Sequence, residues 1–157
     1  MPIIIVTGTP GTGKTAVAKQ ISRALKLKYI DVNMLIKEKN LATGYDKKRN
    51  CAIIDDKKLK RELIALAKSK NIVIDSHMSH LLPSKYVDLC IVTKCDLKIL
   101  KHRLQKRSYS PTKVRENLDA EIFDNCLVEA REKNHRTMVI DTTKKSDYIK
   151  KIKQALK

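Results

Sequence analysis

The chain has no tryptophan, a single phenylalanine and five tyrosines in 157 residues. So few aromatic side chains leave no platform on which successive bases could stack, which excludes reading of a nucleic-acid sequence by stacking. Four glycines and four prolines form no Gly/Ser or Pro-rich linker. With no internal repeat or low-complexity tract, the chain reads as one domain. No apolar run approaches bilayer-spanning length, and Met1 to Val6 is too short and lacks the basic flank of a secretion signal, so a cytoplasmic protein with no membrane partner is expected. The four cysteines, at 51, 90, 95 and 126, show no C-x-x-C spacing and no histidine at zinc-ligand distance. They read as reduced structural thiols. Acids are also scarce, with 17 Asp and Glu against 34 Lys and Arg, a formal charge of +17. Such a surface concentrates polyanions such as nucleotide, RNA or a ribonucleoprotein face. A lysine-rich surface equally suits a heat-adapted or AT-biased proteome. Lys133 to Lys157 holds eight Lys and Arg against two Asp, and Ile149, Ile152 and Leu156 mark the packed face of a last, basic helix.

What is present is concentrated near the start. Gly8-Thr9-Pro10-Gly11-Thr12-Gly13-Lys14-Thr15 satisfies G-x-x-x-x-G-K-[ST] and follows the apolar run Ile3 to Val6. Glycines let backbone N–H groups turn inward around phosphates, Lys14 adds a cation for the β and γ oxygens, and Thr15 offers a hydroxyl to Mg²⁺. A strand over residues 2 to 6 and a helix faced by Ala16, Val17, Ala18, Ile21, Ala24 and Leu25 supply the required context.

Further strands are expected at Tyr29 to Val32, Ile72 to Asp75, Val87 to Thr93 and Thr137 to Ile140. Asn33 is a candidate cap for a helix through about Lys39. Residues 40 to 55 lack periodicity, which in a compact domain marks a segment that binds or moves. Leu59, Leu63, Leu66 and Ala67 give one helix, and Leu97, Leu100 and Leu104 another. Ser110 with Pro111 starts a third, whose buried stripe runs through Val114, Leu118, Ile122, Cys126 and Ala130. Strands alternating with helices imply an α/β fold with a central parallel sheet flanked by helices.

Parallel sheets bind ligands beyond the carboxyl ends of their strands. Asp75 ends a strand there and is the candidate partner of Thr15 in the Mg²⁺ shell, against the alternative of a helix cap. His77, two residues on, is placed to orient a water or an acceptor oxygen, against a purely structural role. Arg103 and Arg107, ahead of the irregular Ser108 to Pro111, can close a small lid over ATP or form a solvated basic helix end. Lys37, Lys47 to Arg49, Lys57 and Lys58 are candidates for an acceptor phosphate or plain surface charge.

TGTPGTGKT, the segment from Tyr29 through GYDKKRNCAIIDDKKL, VIDSH, the LLP turn and RLQKRSYSPTKVRENLDAEIF together resemble the adenylate kinase isoenzyme six group, in the same order over nearly the whole chain. The resemblance implies a P-loop nucleoside monophosphate kinase fold, with an acceptor-binding insertion near Asp31 to Ile54 and a short lid near Lys106 to Glu116. It implies phosphate transfer between ATP and AMP, and ATP hydrolysis. ATP contacts are implied at Gly11, Gly13, Lys14, Thr15, Ala16 and Arg107, catalytic roles at Lys14, Asp75, His77 and Arg107, and monophosphate binding at Lys37. The group is also associated with late maturation of the small ribosomal subunit, through a ribosomal protein of the S-eleven type. Many members carry an acid where this chain has Met34, an arginine where it has Lys37 and a glycine where it has Ser108. Loss of the arginine fork removes bidentate phosphate binding, and loss of the glycine stiffens the lid hinge. Two other functions fit the same residues: a nucleotide-switched assembly ATPase with little kinase activity, and another P-loop small-molecule or polynucleotide 5′-kinase.

Overall fold

The computed structural model describes residues 1–48 and 51–157. Five strands form a parallel sheet, β1 (Ile3–Gly8), β2 (Lys28–Asp31), β5 (Ile72–Asp75), β6 (Leu89–Lys94) and β7 (Thr137–Asp141), in the order β2-β5-β1-β6-β7. β1 is central and buried along its whole length because its apolar run feeds both faces. Ile3 and Ile5 pack toward Leu59 and Leu63 of α3 (Asp56–Ala67) and Leu127 of α6 (Asn125–Glu132). Ile4 and Val6 face Val17 and Ile21 of α1 (Lys14–Leu25) and Ile152 of α7 (Tyr148–Ala155). A smaller cluster, Cys95, Leu100, Leu104 and Val114, joins α4 (Leu97–Lys106) to α5 (Pro111–Ile122).

Register places the chemistry. Asp75 lies level with Val6 on one side and Asp31 on the other, Gly8 pairs with Thr93, and Lys94 with Asp141. The carboxyl ends of all five strands therefore open onto one edge. Among the described residues no helix is long and apolar enough to cross a membrane.

Several local expectations change. Asp31, not Asn33, caps α2 (Val32–Glu38), accepting the Asn33 N–H at 2.8 Å. The aperiodic stretch contains an antiparallel hairpin, β3 (Ala42–Asp46) with β4 (Cys51–Ile54), whose residues are mostly exposed. Arg49, named above as an acceptor candidate, lies outside the described residues. The stripe from Val114 to Ala130 is not one helix. α5 ends at Ile122, Asp124 adopts φ 53°, and α6 begins at Asn125, leaving Ile122 and Phe123 exposed. Leu97, expected on a buried face, is 40% exposed at the first position of α4. Ser110 and Pro111 start α5 as expected, the Ser110 hydroxyl accepting the Lys113 N–H at 3.2 Å.

Candidate functional site

The phosphate loop leaves the centre of the sheet at Gly8, where φ is 149° and an added Cβ would lie 2.3 Å from Thr93 Oγ1 and 2.7 Å from the Thr93 carbonyl. No side chain fits there without moving β6. Gly13, at φ 93°, turns the chain into α1. Threonines hold the loop from within and behind. The Thr12 hydroxyl reaches the Thr9 carbonyl at 2.6 Å and the Thr93 hydroxyl at 2.8 Å, and Thr142 donates to the Thr12 carbonyl. Arg103 Nη1 donates to the Gly11 carbonyl at 3.2 Å. Carbonyls are thus occupied on the protein side, while the first-turn N–H groups of α1 have no acceptor within the helix and form an anion-binding end.

Beside that end Asp75, 5% exposed, accepts two hydroxyls on one oxygen, Thr15 at 2.8 Å and Tyr29 at 2.7 Å, both to Oδ2. The arrangement fits a hydrated Mg²⁺. Thr15 has committed its hydrogen to Asp75, so its lone pairs are available to a cation, and Asp75 Oδ1 remains to accept from metal-bound water. Among the described residues no group of three or more His, Cys, Asp or Glu is assembled to hold a metal by itself. This pair would therefore hold the ion together with nucleotide phosphates. Tyr29 is held protonated, its phenol raised by burial and by the bond to Asp75. Lys14 is pulled below its ordinary value by burial, with the Asp75 charge opposing.

His77 follows on the same strand end, and its backbone carbonyl accepts the Thr7 hydroxyl at 3.1 Å. Its ring is crowded by protein on its sides although its surface opens to the cleft. Burial first, then the charges of Lys14 and His80, push it down to about 4. It is a neutral imidazole near pH 7, able to hold a water or hydroxyl but not to act as a cation.

A cleft of about 1050 Å³ runs from the loop past Asp75 and His77, and includes Asp31, Asn33 and Cys51. A second, of about 860 Å³, opens on the other side of the loop beside Asp141 and Thr142. The two share Gly11, Gly13, Ala16 and Arg107, so Arg107 stands between them. Ser108 sits at φ 58°, a left-handed conformation that glycine adopts without strain. The predicted residues Gly11, Gly13, Lys14, Thr15, Ala16, Asp75, His77 and Arg107 therefore converge. Lys37 does not join them. It is exposed on α2, and neither it nor Lys47, Lys57 or Lys58 lines either cleft. Sequence reasoning missed Tyr29, Thr142 and Glu121. The last had a signal, a carboxylate seven residues after Val114 on the same buried helix face.

A family profile described as an AAA domain matches residues 4–124. A protein of Methanocaldococcus jannaschii, provisionally named an adenylate kinase, is 42% identical over 141 residues, covering 89% of this chain and 76% of that one. An adenylate kinase isoenzyme 6 homolog of Dictyostelium discoideum is 39% identical over 140 residues, covering 89% and 80%. Among solved structures, shikimate kinase from Acinetobacter baumannii in complex with shikimate superposes with a TM-score of 0.63 at 19% identity, covering 98% and 92%. That last likeness is one of fold.

Proposed function

We propose that this chain, which belongs to the adenylate kinase isoenzyme 6 family of AAA-domain proteins, transfers the terminal phosphate of ATP to a nucleoside monophosphate, AMP foremost, and hydrolyses ATP when no acceptor is in place. The observation that carries this reading is the Thr15–Asp75–Tyr29 cluster beside Lys14, in a cleft of about 1050 Å³ that continues to the acceptor side. Bound Mg²⁺ would spread the charge of the β and γ phosphates. Thr15 and Asp75 hold its shell, the amides of α1 and the ammonium of Lys14 meet the phosphate oxygens, and Arg107 reaches the moving group when the lid segment 106–116 closes. Neutral His77 orients the attacking oxygen, whether it belongs to a monophosphate or to water, which gives one site both activities. The acceptor enters over residues 31–54, where Asp31, Asn33 and Cys51 face the cleft. Lys37 contributes to monophosphate binding only if closure brings it inward.

The test is ADP production by the purified protein from Mg-ATP, with and without AMP. AMP is expected to stimulate it strongly, and turnover indifferent to AMP sinks the kinase reading.

Service in late maturation of the small ribosomal subunit is the second part of the proposal. The charge of +17, together with exposed Ile122 and Phe123 at the α5–α6 corner, favours a large partner of the kind a ribosomal protein of the S-eleven type and its RNA surroundings present. A nucleotide-driven switch requires the partner to prefer one nucleotide state. Recovery of such a protein on the immobilised chain should differ between ATP, ADP and no nucleotide. Equal recovery in all three refutes the switch.

A further inference from the structure

The first half of α5 lies within the lid segment 106–116, and its other end is fastened to the phosphate loop. Lys113, Glu116, Asn117 and Ala120 line the cleft at helical spacing. At the next position the helix puts a carboxylate into the interior, Glu121, only 6% exposed. Its Oε1 accepts the Thr9 hydroxyl at 3.2 Å and Lys94 Nζ at 3.2 Å, and its Oε2 accepts the Cys95 N–H at 3.1 Å. Lys94 also donates to the Glu121 carbonyl at 3.3 Å and to Asp124 at the α5–α6 turn. Burial pulls Lys94 down, but its bond to Asp124 and the Glu121 charge outweigh this, so the cation persists. An ion pair in such a place adds little net stability over well-packed apolar residues, so its value lies in what it positions. What it positions is Thr9, whose carbonyl is in turn gripped by the Thr12 hydroxyl and by the Thr12 N–H at 3.2 Å.

We propose that Glu121 is a positioning residue for phosphoryl transfer: it fixes the phosphate loop through Thr9 and ties that loop to the lid-bearing helix, so that α5 pivots on this corner when the lid closes. The proposal rests on the kinase reading above and extends it to a residue that touches no substrate. Lid closure and loop geometry then change together rather than independently.

The experiment compares the parent protein with Thr9→Val, Thr9→Ser, Glu121→Gln and the Thr9→Val/Glu121→Gln double variant. kcat, KM for ATP and AMP, Mg-ATP affinity by calorimetry and Tm are measured for each. Thr9→Val preserves shape and leaves Glu121 bonded to Lys94 and Cys95, so the fold survives. Loss of a hydrogen bond to a charged group lowers kcat by about tenfold, with Mg-ATP affinity weakening by only about threefold. Thr9→Ser restores both, and the double variant is no worse than the poorer single one, the mark of a shared interaction. Parental kcat in Thr9→Val, or losses that multiply in the double variant, overturns the proposal. If the parent itself proves indifferent to AMP, the kinase reading fails but the link is still tested. Non-additive losses of Mg-ATP affinity then uphold it, and additive ones refute it.

Discussion

Replacing Lys14 by alanine is expected to lower AMP-dependent ADP formation by about a hundredfold to a thousandfold, the range for removal of one preorganised charge stabiliser at a reacting group. Lys14 stands at the first position of α1, where its ammonium adds to amides already aimed at the phosphates. Ground-state affinity should suffer far less, because those amides remain. Stability should move the other way. Burial depresses the Lys14 ammonium, which means that the folded state disfavours its charge, and Lys14 makes no ion pair at salt-bridge distance among the described residues. Removing it therefore leaves the Tm of the nucleotide-free protein unchanged or raises it by about 2–4 °C, the shift that 1 kcal/mol produces in a domain of this size. An inactive variant that melts no lower than the parent separates chemistry from folding. Alanine at this position with more than about a tenth of parental turnover contradicts the assignment.

Asp75→Asn is expected to reduce turnover by roughly a hundredfold and to raise the Mg²⁺ concentration needed for half-maximal rate. Asparagine keeps the shape and one acceptor oxygen, which can take both the Thr15 and the Tyr29 hydroxyls as Oδ2 does in the parent, so the strand end holds. The charge is what disappears. Without it the water shell of the metal loses its acceptor, and Lys14 loses the strongest charge opposing its desolvation. Both losses fall on the transferring phosphate. Initial rates across a Mg²⁺ titration separate this from simple misfolding, and an unaltered Mg²⁺ dependence would remove Asp75 from the metal shell.

The phosphate loop is legible because its residues occupy consecutive positions, and Asp75 stands out as a candidate because that loop upstream offers an acid at the end of a buried strand a partner in Thr15, a contact the fold makes at 2.8 Å. The three inner strands of the sheet, β1, β5 and β6, are legible for a related reason: burial on both faces makes them short apolar runs. The hairpin over residues 42–54 gave no such sign. Among its described residues only Ile54, at its end, packs against the core, and the other strand residues are mostly exposed, so neither face needed to be apolar throughout and no alternation developed. The break after Ile122 was hidden by a stripe spaced every four residues. In a helix of 3.6 residues per turn each such step drifts about 40°, so the stripe leaves the core face within two steps. Ile122 is the residue that has drifted out. Tyr29–Asp75 and Thr9–Glu121, 46 and 112 residues apart, are contacts of the fold and have no local signature. Lys37 shows the converse: a residue type suited to a phosphate, on an element near the cleft, whose helix turns it outward.

The central position of β1 also governs when the site can exist. Its two neighbours are strands that begin 69 and 86 residues later in sequence, at Ile72 and Leu89, and Thr142, which holds the Thr12 carbonyl, comes later still. During synthesis β1 therefore precedes both of its partners and stays unpaired in the sheet until residues 72–94 have followed it. Closing such long loops makes folding slow relative to local assembly. The exposed Ile-rich β1 is the part of the nascent chain most open to mispairing in that interval. ATP, able to bind only the finished arrangement, then draws the last step of folding forward by mass action.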